Sequence, residues 1–160
     1  MRPRLLGIAL VLAARLTAAA PAGDTTTQDK PEHAIPPRAR IVTVEVVRGN
    51  QGTPMARTAL REAIGRHLAR RGFQVVEGGR NIAYRLQPTL LLLDSHAGSS
   101  VEVKAAVVAV DRKGRTVAMV EGGARGGAPG APVAAVESQA LEAAARSLAE
   151  DLARRLLEVR

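Results

Sequence analysis

Residues 101–119 read VEVKAAVVAVDRKGRTVAM, two alternating apolar runs joined by a short polar turn. Alternation of this kind predicts β-strands with one buried face. The turn sequence Asp-Arg-Lys-Gly predicts a three-residue hairpin loop closed by a left-handed Gly114. This loop sets Val117 opposite Ala109. Two residues further along, it sets Met119 opposite Val107, so both side chains are expected on the core side.

The preceding run, residues 82–93, reads IAYRLQPTLLLL and alternates in the same way. A loop over residues 96–99 pairs Leu86 with Ala109 and Leu92 with Val103, which brings the two apolar sets to one side. A shift of one residue would send one set to solvent, so this register is strongly favoured. Pro88 cannot donate a backbone hydrogen bond and indicates an edge strand or a bulge. An edge strand here would present an open edge for β-addition.

The other strands and the helices are predicted from the spacing of apolar residues and from residues that begin or end helices. Residues 41–47, IVTVEVV, predict strand one, with Val46 on the same side as the two valines before it. Thr53 followed by Pro54 predicts a helix start, and Gly72 predicts its end. Residues 73–77 predict a short strand and 137–159 a second helix. The glycine-rich residues 122–135 show no pattern and are expected to form a flexible loop.

These elements predict an α/β (α+β) fold, a two-layer βαβββα sandwich. Its mixed sheet of about four strands carries two helices on one face and leaves the other face more exposed. Since domains usually span about 100 to 200 residues, residues 41–160 are expected to form a single domain.

The N-terminus has the order of a secretory signal peptide. Two arginines precede a short apolar run and then small residues, with cleavage expected after Ala22. An organellar transit peptide is the competing interpretation. Residues 23–40 are polar and proline-bearing and are expected to be a flexible tether. The chain has no cysteine, which excludes a lipidated cysteine and disulfides. We therefore expect a periplasmic or secreted protein without a transmembrane anchor in the mature chain.

Three segments carry a resemblance to a known family: LARRGFQVV (68–76), AYRLQPTLL (83–91) and VKAAVVAVDRKGRTVA (103–118). Together with the element order over residues 41–157, they resemble the envelope domains typified by the TolB N-terminal domain and CsgG of curli secretion. The resemblance implies a noncatalytic module that binds partners or builds assemblies in the bacterial envelope.

The sequence offers no catalytic, cofactor or metal constellation. His33, His67 and His96 lie in tether, helix and loop without ligand spacing, and His67 is expected to be a partly buried structural residue. Ser99 and Ser100 beside His96 are ordinary turn residues without an orienting acid. The glycine run after Glu121 lacks the spacing of a phosphate-binding loop. We therefore expect neither an enzyme nor a cofactor.

The formal net charge is +8, and the predicted first helix carries five arginines: Arg57, Arg61, Arg66, Arg70 and Arg71. A solvated helix face accounts for them most simply, and an anionic envelope surface, lipid headgroup or polysaccharide, is the alternative partner. Nucleic acid is not expected, because Phe73 and Tyr84 are the only aromatic residues and export removes that ligand.

The predicted register also gathers aliphatic side chains on the sheet face that the helices do not cover. They lie beside a lysine, and the proposed partner-binding set is Leu91, Leu93, Lys104, Val108 and Val110. Clustered aliphatics on an open face indicate an interaction surface. The same pattern is also compatible with a central strand that is apolar on both sides, or with coverage of this face by the tether or the glycine loop. The leading hypothesis is docking of an envelope protein or a second copy.

Overall fold

The computed structural model describes residues 40–96 and 100–159, so the predictions for residues 1–39 lie outside the described residues. The strands are β1 (Ile41–Val44), β2 (Gln74–Val75), β3 (Tyr84–His96), β4 (Ser100–Asp111) and β5 (Thr116–Gly127). The helices are α1 (Pro54–Arg70) and α2 (Val133–Glu158). The five strands form one mixed sheet in the order β2-β1-β3-β4-β5, in which β1 is parallel to β2 and β3. The predicted fold class is confirmed, and the short β2 lies within residues 73–77, which were predicted to be a strand.

Both helices contribute apolar stripes to a single core against one face of the sheet. The Thr53 hydroxyl accepts a hydrogen bond from the Ala56 amide at 3.1 Å, which caps α1 as predicted. The predicted stripe residues of both helices are all buried: Ala56, Leu60, Ala63, Ile64, Leu68, Leu141, Ala145, Leu148, Leu152 and Leu156. The opposing sheet face supplies Val101, Val103, Ala105, Val107 and Ala109, each fully buried. Burial of this aliphatic layer is the main stabilising contribution to the fold.

The β3–β4 hairpin contains a bulge that the sequence did not indicate. Leu86 pairs with Ala109 as predicted, but the register shifts between Leu90 and Leu92. Beyond the shift Leu93 pairs with Val103, so the predicted pairing of Leu92 with Val103 is wrong. A bulge inserts one residue and exchanges the faces of every side chain that follows.

The β4–β5 hairpin has the predicted turn followed by a second bulge. The Asp111 amide donates to the Arg115 carbonyl at 2.9 Å, and Gly114 has φ 78°. The register then shifts between Ala109 and Val110, so that Ala118 pairs with Ala109. Met119 consequently pairs with Val108 and is 57% exposed, and its predicted place on the core side is wrong.

The glycine-rich segment is a strand over much of the range predicted to be a flexible loop. β5 continues to Gly127 and α2 begins at Val133. An added Cβ at Gly122 would lie 3.3 Å from Leu148 and one at Gly126 would lie 3.3 Å from Val136. These glycines therefore let α2 pack closely on β5. Glycine is a weak strand former, so composition alone predicts a loop here.

Candidate functional site: the open sheet face

The side chains of β3, β4 and β5 that point away from the helices form one surface, here called the open sheet face. Within residues 40–96 and 100–159, both helices pack on the opposite side of these strands. The register aligns its members in cross-strand rows: Arg85 with Val110, Gln87 with Val108 and Met119, Thr89 with Ala106 and Glu121, Leu92 with Lys104, and Glu102 with Arg125.

The apolar part of this face centres on Val108. Val108 is half-buried between Gln87 and Met119, and Ala106 beside it is only 7% exposed. Met119 stands out from the surface, since the bulge in β5 turns its side chain away from the core. The result is a small aliphatic surface with one prominent exposed side chain.

The structure places three of the five predicted partner-binding residues on this face: Lys104, Val108 and Val110. Leu91 is the bulged residue of β3 and is 43% exposed. Leu93 is different, because the bulge turns it inward, where it packs against the hydrophobic core. Its predicted position on the uncovered side is therefore wrong, and Leu92 takes that place opposite Lys104.

One end of the open sheet face is charged and internally paired. The Glu102 carboxylate lies 2.5 Å from the Arg125 guanidinium and 3.3 Å from the Lys104 ammonium. Hydrogen bonds from Arg125 and then from Lys104 hold the pKa of Glu102 below its ordinary value. This end is thus organised by the chain itself, whereas Arg85 at the other end has no ion pair within the described residues.

The arginines of α1 are largely occupied by contacts within the protein. Arg57 donates to the Gly49 carbonyl at 3.1 Å, and Arg61 donates to the Val44 carbonyl at 2.9 Å. Two further arginines form ion pairs between α1 and α2. Arg66 pairs with Glu142 at 2.8 Å, and Arg71 pairs with Glu150 at 3.3 Å. Of these five arginines, Arg70 alone has no hydrogen-bond or ion-pair partner in the part of the chain that the structure describes. The set therefore does not form a free cationic surface.

His67 is buried and lies 2.9 Å from a Glu142 carboxylate oxygen, which supports its predicted structural role. Burial raises the pKa of Glu142. Hydrogen bonds and positive charge from Arg66, and then from His67, lower this pKa by more, so that it lies below its ordinary value. No group of three His, Cys, Asp or Glu side chains among the described residues is arranged to hold a metal ion.

A groove that the sequence did not indicate lies beside the end of β1. β2 is only two residues long, so β1 loses its outer neighbour beyond Val42. The groove has a volume of about 570 Å³, and its charged lining residues are Glu45, Arg48, Arg61, Glu77 and Arg85. Glu45 and Arg48 pair with one another at 3.6 Å. The balance of charge in this groove is weakly positive.

A bulge in the chain after β1 borders this groove. Pro88 has no N–H to give to the Glu45 carbonyl, which faces it in the ladder, and β1 bulges at this point. Val46 becomes 73% exposed while Val47 is 4% exposed, so the predicted strand to residue 47 ends earlier and Val46 does not face the core. Pro88 lies in a central strand, which rules out the edge that its sequence position suggested and confirms the bulge.

No protein-family model matches the sequence, and no curated protein matches it. Solved structures do match. PelC from Paraburkholderia phytofirmans, a dodecamer, is 18% identical with a TM-score of 0.52, covering 69% of this chain and 89% of PelC. Protein XCC0632 from Xanthomonas campestris, of family DUF330, is 15% identical with a TM-score of 0.49, covering 72% and 81%. A minor lipoprotein from Acinetobacter baumannii is 17% identical with a TM-score of 0.43, covering 73% and 91%.

The likeness to PelC shows a shared α+β fold. The resemblance to the TolB N-terminal domain and CsgG remains a prediction from sequence. Among the described helices, none has both the length and the apolar character needed to cross a membrane.

Proposed function

We propose that the protein is a noncatalytic binding and assembly module of the bacterial cell envelope, which docks a protein partner through the open sheet face. The observation that carries this proposal is the exposure of Met119 beside Val108, on the side of the sheet that neither helix covers. Buried apolar side chains at the centre of a contact supply most of the binding energy in protein interfaces.

Two further observations support an envelope module. The N-terminal sequence predicts export, and the resemblance to the TolB N-terminal domain and CsgG implies binding or assembly in the envelope. The fold is also that of PelC, a protein that forms a dodecamer, so this architecture is compatible with assembly.

The chemistry of the face defines the partner. Val108 and Met119 require aliphatic side chains opposite them. The Arg85 guanidinium borders the apolar surface without an ion pair among the described residues, and it favours a carboxylate. We therefore expect a folded envelope protein whose surface combines an aliphatic patch with an acidic side chain at its border.

Site-specific photo-crosslinking in living cells tests this docking surface. A photoreactive residue at Val108 is expected to give an adduct with an envelope protein, whereas one at Leu157, an exposed aliphatic residue of α2, is not. The captured protein is then purified, and Val108→Glu is expected to weaken its binding at least about tenfold. Equal binding by wild type, Val108→Glu and Leu157→Glu would reject the open sheet face as the docking surface.

The alternative, an anionic-surface binder that uses the basic face of α1, has weaker support, because four of its five arginines already contact groups within the chain. Ionic strength separates the two functions. Binding of the purified protein to anionic vesicles would fall steeply with added salt, whereas docking through Val108 and Met119 would change little.

A further inference from the structure

The two edges of the sheet differ greatly in length. β2 forms one edge and has two residues, whereas β5 forms the other and has twelve. Very short edge strands protect a sheet from pairing with another chain, and long ones invite such pairing. No strand of residues 40–96 and 100–159 pairs with the outer side of β5. The long edge also contains no proline that would block it.

The hydrogen-bond pattern identifies the backbone groups on this outer edge. The Asp111 amide donates to the Arg115 carbonyl, which shows that the odd-numbered residues of β4 point their backbone groups toward β5. Their partners in β5 are Ala118, Val120 and Gly122. Because backbone direction alternates along a strand, the intervening residues present their N–H and C=O groups outward: Met119, Glu121, Gly123 and Arg125.

The charged side chains on this edge are arranged symmetrically about Gly123. Glu121 precedes it by two residues and Arg125 follows it by two. If a second copy of β5 pairs antiparallel about a two-fold axis at Gly123, Glu121 of each copy lies opposite Arg125 of the other. Two cross-strand ion pairs result. An axis at Glu121 or at Arg125 would instead set like charges opposite each other, which destabilises a pair of strands.

The side chains near the axis leave room for a second copy. Gly123 carries no side chain at the axis itself, and its neighbours on the helix side are Gly122 and Ala124. Both Glu121 and Arg125 are exposed, and the side chain of Arg125 remains 71% exposed although it pairs with Glu102. A guanidinium has five donors, so Arg125 can bind Glu102 of its own chain and Glu121 of the second copy together.

We propose that β5 is a self-association edge, at which a second copy of this chain adds antiparallel to form a continuous ten-stranded sheet. The main-chain hydrogen bonds supply affinity, and the two Glu121–Arg125 pairs fix the register and select a second copy. The interface is isologous, with the same strand used twice. It uses the backbone edge of β5 rather than the aliphatic surface around Val108, and it goes beyond the proposed function. The side chains of Glu121 and Arg125 lie where this edge borders the open sheet face. Pairing would also set two open sheet faces side by side.

Charge reversal tests the pairing, because each single variant sets like charges opposite each other in its own dimer, whereas a dimer of the two variants sets opposite charges together. Glu121→Arg sets arginine opposite arginine, and Arg125→Glu sets glutamate opposite glutamate. Each variant alone is expected to raise the dimer dissociation constant at least about tenfold, measured by sedimentation equilibrium of the full chain. An equimolar mixture of both variants sets opposite charges at all four positions, so it is expected to restore the dimer as a heterodimer.

Amide hydrogen exchange provides the structural measurement. In wild type, the outward amides of Glu121, Gly123 and Arg125 are expected to be protected, and this protection is lost in either single variant. The amides of Ala118 and Val120, which face β4, should stay protected in all proteins, and this control excludes unfolding. A monomeric wild type, dimers that persist in both variants, or a mixture that stays monomeric would each overturn the proposal.

The test is independent of the docking experiment. Val108→Glu leaves the β5 edge intact, so it is expected to preserve self-association even where it abolishes partner binding. Glu121→Arg is expected to abolish self-association and to keep partner binding, because it leaves the aliphatic side chains of Val108 and Met119 in place. Failure of one proposal is therefore distinguishable from failure of the other.

Discussion

The backbone amide of Arg48 donates to the carbonyl oxygen of Pro88 at 2.9 Å, one residue later than the pairing of Val44 with Leu86 requires. The extra residue is accommodated in a bulge, which turns Val46 outward and Val47 inward. Because β3 pairs normally with β4 at Pro88, the missing N–H affects only the side of the strand that faces β1.

The bulge predicts that two adjacent valines contribute very differently to stability. Val47→Ala removes buried methyl groups and is expected to lower the free energy of unfolding by about 2 kcal/mol. Val46→Ala is expected to change it by less than about 0.5 kcal/mol, because that side chain is mostly in solvent. Urea denaturation measures both. A larger loss for Val46→Ala than for Val47→Ala would show that the strand continues regularly through these residues.

The sequence allowed the fold to be predicted because its signals are periodic. Alternation identified the β3 and β4 strands, and the spacing of Leu60, Ile64 and Leu68 identified the buried stripe of α1. Pro88 indicated the bulge beside β1, but nothing in the sequence revealed the residues inserted at Leu91 and Val117. A bulge leaves composition unchanged and yet exchanges the faces of all later side chains. Leu93 and Met119 were assigned to the wrong faces for this reason.

The candidate site was therefore only partly predictable. Val108 and Val110 lie in β4, whose alternation is uninterrupted because the inserted residues are in β3 and β5, and their faces were predicted correctly. The outer edge of β5 was not recognised, because glycines that pack beneath a helix and glycines of a loop have the same composition. Only the position of α2 above Gly122 and Gly126 distinguishes the two cases.

A glycine in β5 is predicted to be structurally required. A Cβ added at Gly123 would overlap the Val103 carbonyl oxygen, a backbone atom that cannot easily move. Gly123→Ala is therefore expected to destabilise the protein by about 2 kcal/mol. Gly78→Ala is the matched control, because no heavy atom lies within 4 Å of its added Cβ. Thermal unfolding should rank the two variants in this order, and equal stability would contradict the close approach of β4 and β5.

The contacts of α1 predict that its arginines differ in structural importance. Arg61→Ala leaves the Val44 carbonyl at the open edge of β1 without its donor and is expected to lower the free energy of unfolding by about 1 kcal/mol. Arg70→Ala removes the same charge from an exposed position, and the expected change is below about 0.5 kcal/mol. Chemical denaturation of both variants compares them directly. Equal losses would mean that charge, rather than the hydrogen bond to Val44, determines the effect.

The last prediction concerns acid stability and the contact of α1 with α2. Arg66 and His67 both bind Glu142, and they lower its pKa from the ordinary value of 4.5 despite partial burial. A carboxylate with a lowered pKa stabilises the folded state fully above the unfolded-state pKa, and this contribution is lost as the pH falls through the folded-state pKa. Wild type is thus expected to exceed Glu142→Gln in stability at pH 6 by up to about 1 kcal/mol, as for partly exposed ion pairs.

The difference between the two proteins is expected to shrink as the pH falls below 4.5 and to vanish once Glu142 is protonated in wild type. Urea denaturation at a series of pH values from 6 downward measures it. Glu158→Gln, at an exposed position at the end of α2, serves as the control and should follow the wild-type curve. A stability difference between wild type and Glu142→Gln that is independent of pH would show that Glu142 joins the helices through packing, and not through its charge.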